Sequence, residues 1–168
     1  MWRQSPDQGR VSISDSPPGE PSSVENKSFM FSKGILMVFP QVTAFYAALL
    51  GLVFTGLSFW VVKARAHHKV AMGDGGQFSL ILRIRSHANF AEYVPLGLIL
   101  IAFNEMGGLD SWGIHALGAI LVLARIAHPI GMAASEGSPL QKPFRGFGVL
   151  GTWGVILISS LLVLAGLL

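Results

Sequence analysis

From about Pro40 onward the chain alternates between long apolar runs and short polar ones. The first run, Pro40 to Val62, is about 23 residues long, enough to cross a hydrocarbon core of ~30 Å with some tilt. The second stretch predicts a helix that begins near Gln77 or Phe78 and ends near Asn104, roughly 40 Å at 1.5 Å per residue. It outruns the hydrocarbon core, so Arg83 and Arg85 can stay at headgroup level, and Pro95 within it predicts a kink that frees a carbonyl near Ala91. The third run spans about Trp112 to Met132 and the fourth about Phe144 to Leu168. Pro40 and Pro143 suit first helical turns. Ala47, Ala48, Gly51 and Gly56 on the first helix, and Gly146, Gly148, Gly151 and Gly154 on the fourth, predict close helix packing. Four spans with short connections define an all-α fold, an integral membrane four-helix up-down bundle covering residues 35–168.

Residues 1–34 break this pattern. Pro6, Pro17, Pro18 and Pro21 stand among Ser, Asp, Glu and Gln with almost no apolar run, so the segment cannot offset the entropy of ordering and reads as a disordered tail. It lacks the apolar core of a signal peptide. Met30 and Met37 stand just ahead of the first span, and either fits an over-extended reading frame as well as a genuine tail.

Composition sharpens the class. The chain has 168 residues, of which 12% are charged, against about 25% in soluble domains, and its mean hydropathy is +0.55. The net charge of +3 comes without a dense basic run bearing interleaved aromatics, which argues against nucleic-acid binding. There is no cysteine, hence no thiolate nucleophile or thiolate metal site in the chain itself. Any thiol chemistry must use a thiol carried by a ligand. His67 and His68 are adjacent and read as part of a surface loop rather than a metal site, because neighbours on a helix point apart. His87 and His115 read as structural.

The basic residues are unevenly placed. Lys63, Arg65 and Lys69 follow the first span, Lys142 and Arg145 precede the fourth, and the 104–111 connection has none. The positive-inside rule therefore places the 63–78 and 133–145 connections in the cytoplasm and both termini on the other side. On the cytoplasmic side Arg83 and Arg85 meet Arg125, His128 and Arg145. On the second helix Arg85, Asn89 and Glu92 fall at i, i+4 and i+7 and share one face. Such charges are costly within a membrane helix unless they are paired, bound to a ligand, or turned to the bundle interior. A cavity there suits a small, mostly anionic ligand with an ammonium or amide to satisfy Glu92 and Asn89.

The spacing Arg85-x-x-x-Asn89-x-x-Glu92-Tyr93-x-Pro95-Leu96, on the second of four spans, closely resembles the second-helix signature of the membrane-associated proteins in eicosanoid and glutathione metabolism. The likeness runs from about Pro40 to Leu168 and looks most like the bacterial members, which implies a bacterial inner membrane. It implies four-helix subunits forming a homotrimer, with glutathione bound as co-substrate between subunits near the cytoplasmic face. It implies that Arg85, Asn89, Glu92, Tyr93, Arg125 and His128 line the thiol site, and that Arg145 acts catalytically by stabilising the thiolate. The implied activity is a glutathione-dependent transferase or peroxidase acting on apolar electrophiles that arrive from the bilayer. The chain departs from the pattern in places. His128 and Met132 stand where eicosanoid-type members carry third-helix tyrosines, Leu82 stands where many have an arginine, and only Lys63 or Arg65 loosely matches the first-helix arginine. A non-catalytic membrane protein that keeps the fold and trimer contacts, or a small transporter or channel, therefore stays open.

Overall fold

A computed structural model of the chain describes residues 39–168; the expected tail at 1–34 lies outside the described residues. Four helices account for nearly all of them: α1 (Gln41–His68), α2 (Phe78–Met106), α3 (Ser111–Ala133) and α4 (Gln141–Leu167). The up-down order expected from the apolar runs is present. α1, α3 and α4 are long and apolar enough to cross a membrane. α2 is 29 residues long but carries Arg83, Arg85, Asn89, Glu92, Asn104 and Glu105, which dilute its apolar character. It joins the other three by position: α2 packs against α1, α3 and α4, and α3 does the same from the other side of the bundle, whereas α1 and α4 do not touch. The cross-section is thus a central α2–α3 pair flanked by two wings.

The core follows from this layout. Leu50 and Leu57 of α1, Phe90, Val94 and Ile101 of α2, Ile114, Leu117 and Leu121 of α3 and Val155 of α4 form one buried apolar cluster. Outward, the wings present large apolar side chains that water would not tolerate as a continuous face. Phe45, Leu52 and Phe59 of α1, and Leu150, Trp153, Leu157 and Leu161 of α4, are all more than half exposed. These are faces suited to lipid or to another apolar helix.

Two boundaries differ from the sequence expectation. The run Lys63–His68 is helical rather than a loop. Lys, Arg and Ala favour helix, and Arg65, His67 and His68 sit in the last turn, where positive charge complements the helix dipole. The helix stops where Lys69 turns left-handed at φ 55°. α4 begins at Gln141 rather than Phe144, which leaves Pro143 in the first turn, where its missing N–H costs nothing. α2 continues as helix through Pro95, and α3 through Pro129.

The small residues of α4 divide into two groups. A Cβ at Gly148 would lie 2.6 Å from the Cβ of His128, and one at Gly151 would come within 3.2 Å of Ala124. Gly131 of α3 lies directly against the backbone of Arg145. These positions let α3 and α4 approach closely at the end where α4 begins. Gly146 and Gly154 instead face open space within the subunit, so the expectation of close packing holds for only part of the stripe.

Candidate functional site

The polar stripe of α2 splits on folding. Arg85 and Glu92 are exposed on the subunit surface, while Asn89 and Tyr93 are half-buried between them. Asn89 is the member drawn inward. Its Oδ1 accepts a hydrogen bond from Arg125 Nη1 at 2.8 Å. Arg125 is only 2% exposed; its Nη2 donates to the carbonyl of Gly148, which also accepts from Thr152 Oγ1 at 2.8 Å. The guanidinium thus ties α2, α3 and α4 together. Among the described residues no carboxylate pairs with it, and its Nε is buried without a partner. A buried cation held only by neutral acceptors costs more to maintain than one with a carboxylate beside it, so the polar network leaves a positive bias behind Asn89.

The other expected site residues fall around this network. His128 is buried and packs its Cβ side against Gly148. Gly148 is therefore the hinge of the arrangement: its carbonyl holds Arg125 and its missing side chain admits His128. Arg145 is exposed in the first turns of α4. With Glu136, Gln141, Lys142, Gly146 and Val149 it lines a cavity of about 540 Å³. Within one subunit the structure joins Asn89 to Arg125 directly, and leaves Arg85, Glu92 and Arg145 turned outward.

Several polar residues that the sequence left without roles have partners here. Arg83 lies over the Trp60 ring at 5.0 Å and donates to the Trp60 carbonyl at 3.3 Å, pinning α2 to α1. His87 stacks on Phe54 at 4.5 Å, and its Nε2 lies 3.0 Å from Ser58 Oγ. At the opposite end Glu105 reaches across to the start of α1. Its Oε1 accepts from Val42 N at 2.9 Å, and its Oε2 accepts from Thr43 N at 2.7 Å and Thr43 Oγ1 at 2.6 Å. Pro40, at the N-cap of α1, makes no side-chain cap of its own, so a carboxylate from another helix meets the open amides. A glutamate with one residue between it and a Gly-Gly turn carries no local sign of a partner so distant in sequence.

Four antiparallel helices with outward apolar wings and a polar stripe on α2 define a helical membrane protein whose outward-facing Arg85, Glu92 and Arg145 lie on α2 and the first turns of α4. The chain belongs to the MAPEG family, whose sequence model matches residues 43–165. It is similar to the Inner membrane protein YecN of Escherichia coli (strain K12), with 41% identity over 91 residues, covering 54% of this chain and 70% of the relative. The protein of the same name from Escherichia coli O6:H1 (strain CFT073) matches to the same extent, 41% over 91 residues.

Proposed function

We propose that this protein binds glutathione, or a closely similar anionic thiol peptide, at a site shared between subunits of a homotrimer, and transfers the thiol to apolar electrophiles drawn from the bilayer. The observation that carries this reading is the outward presentation of Arg85 and Glu92 from a helix packed among membrane spans. Charged side chains so placed are costly against lipid, and a second subunit together with a zwitterionic peptide removes that cost. Arg85 and Arg145 supply cations for the peptide's carboxylates and thiolate, and Glu92 supplies an anion for its ammonium. Asn89 keeps its amide N–H₂ for the ligand, because Arg125 occupies its oxygen.

In this reading the Arg145 guanidinium favours the charged form of the bound thiol and so lowers its pKa. The thiolate sulfur attacks an electrophilic carbon, forming a C–S bond as the leaving group departs with its electron pair or as the electrons shift onto an activated double bond. Arg145 holds the negative charge before attack and does not itself exchange a proton. The basic end faces the cytoplasm in the inner membrane, in keeping with the positive-inside rule.

Calorimetric titration of the purified protein with glutathione tests the reading, alongside native mass measurement in mild detergent. Saturable binding at one site per interface in a three-copy assembly is expected; a ligand-binding monomer would overturn the shared site. Single cysteines at Gly75 and Gly108 of this cysteine-free chain should label from opposite membrane faces, and labelling from one face would overturn the orientation.

One observation favours a second reading. His128, where eicosanoid-type members carry a tyrosine, is buried against Gly148 and offers no hydroxyl to a substrate. A protein that binds the thiol without turning it over would show the calorimetric signal and no conjugation of an apolar electrophile.

A further inference from the structure

At the end of the bundle away from Arg145, α1 and α3 border an open cavity of about 730 Å³ lined by Tyr46, Ser111, Trp112, His115, Ala116 and Ala119. Its volume is typical of small-molecule sites. Tyr46 is buried and fixed in place. Its ring lies directly against Gly118, where any side chain would collide with it; its hydroxyl lies 3.1 Å from His115 Nδ1, and the two rings meet edge-on at 5.7 Å. Phe45 braces Tyr46 from outside, edge-on at 5.3 Å. Trp112, by contrast, is 82% exposed at the mouth of the cavity, one turn before His115. The two alanines keep the floor open.

The charge around this cavity has one sign. Asp110 caps α3, accepting from Trp112 N at 3.0 Å, and is exposed, one residue before Ser111 of the lining. Glu105 lies nearby with both carboxylate oxygens engaged on α1. Between Arg85 and Arg125 the chain has no Lys or Arg, so among the described residues His115 is the one group here that can become cationic. An anionic headgroup or carboxylate would meet Asp110 and Glu105 with no counter-charge. A cation would meet their negative field and the face of the exposed Trp112, and a ring quadrupole attracts a cation within about 6 Å, most strongly once desolvated.

We infer that the Tyr46–Trp112–His115 cavity is a binding site for lipophilic cations, such as quaternary ammonium or phosphonium compounds that partition into the membrane interface. The apolar walls take the organic substituents, the face of the exposed Trp112 takes the charge centre, the Tyr46–His115 pair forms a fixed wall behind it, and Asp110 sets the sign of the preferred ligand. The site is independent of the proposed thiol chemistry, which lies at the other end of α2 and α3.

The test is equilibrium binding of radiolabelled tetraphenylphosphonium to the full chain in detergent, with neutral triphenylphosphine oxide as a competitor of similar shape. Saturable cation binding, weakly displaced by the neutral compound, is expected. Trp112→Ala should weaken it by about two- to thirty-fold, the range of a cation–aromatic contact, and Trp112→Phe should weaken it less. Asp110→Asn keeps the helix cap and removes the charge, so it should lower affinity for the cation and leave the neutral compound unaffected. Circular dichroism and thermal melting of each variant separate lost binding from lost fold. Equal binding of the cation and the neutral compound, or unchanged affinity in both folded Trp112→Ala and folded Asp110→Asn, would overturn the inference and leave only hydrophobic partitioning.

Discussion

The two ends of this bundle treat polar groups in opposite ways. Where α1 begins and α2 ends, polar groups close on one another within the subunit, the buried Ser159 hydroxyl excepted: Glu105 closes on Val42 and Thr43, Asn104 Nδ2 donates to the Ser159 carbonyl at 2.9 Å, and His115 meets Tyr46. On the side where α2 and α4 begin, Arg85, Glu92 and Arg145 are exposed, while inside the subunit the buried Arg125–Asn89–Gly148 network and the Arg83–Trp60 contact tie the helices together. Hydrogen bonds closed inside a subunit stabilise its fold; charges held outward at a membrane boundary cost stability until something binds them. The first end is therefore closed on itself apart from the exposed Trp112 and Asp110 of the proposed cation site, and the second, in the proposed function, turns its charges toward a partner and a ligand. Substitutions of groups bonded within the subunit should move melting temperature, and substitutions of the outward charges binding or rate.

The largest effect is expected at Glu105. Glu105→Ala strips three hydrogen bonds from a carboxylate and opens the N-terminus of α1, at a cost of about 3 kcal/mol. Thermal unfolding in detergent should show this with thiol affinity unchanged, and a variant that melts like the parent would dissolve the contrast. Next comes Arg145→Ala, for which conjugation should slow about ten- to a hundred-fold, or about 1.4 to 2.8 kcal/mol in the barrier, with the melting temperature held. Lysine at this position should keep part of the rate, since it retains the charge and loses the planar fork. Glu92→Gln should weaken glutathione binding about tenfold, near 1.4 kcal/mol, again without a stability change. A fall in melting temperature at unchanged affinity would assign Glu92 to subunit packing instead. The smallest shift belongs to Arg83, which sits at the basic end but is already answered by Trp60. Arg83→Ala should cost about 0.5 to 1 kcal/mol of stability and leave binding alone. If it impaired binding as much as Glu92→Gln, the division between answered and unanswered charges would not hold within that end.

The fold was legible because hydrophobic periods of this length admit few alternatives. The four runs, their order and the α2 boundaries follow from apolar content and flanking polar residues. What local pattern missed is the extension of α1 through Lys63–His68. The basic charge there reads as a surface break, while helix propensity and the dipole at the C-terminus carry the helix onward. At the candidate site the i, i+4, i+7 spacing of Arg85, Asn89 and Glu92 marked the stripe. The spacing did not tell that Asn89 turns to Arg125 while its two neighbours stay outward, because that depends on Gly148 bringing α4 within reach of the guanidinium. The partners of Glu105, His87 and His115 were equally hidden, since each lies on another helix with no local signal.

The reach of Glu105 also bears on how the chain enters the bilayer. The amides it satisfies lie 62 and 63 positions earlier in the sequence, so during synthesis α1 is made long before its cap exists. Until α2 has been translated to its final turn, Val42 and Thr43 lack this acceptor, and unmet amides are poorly tolerated in hydrocarbon. The α1–α2 hairpin, rather than α1 alone, is then the smallest piece that can settle in the membrane with this end closed. Released chains truncated after Ala102 should resist alkaline extraction less well than released chains truncated after Leu109, and equal resistance would show that α1 holds in the bilayer without its glutamate.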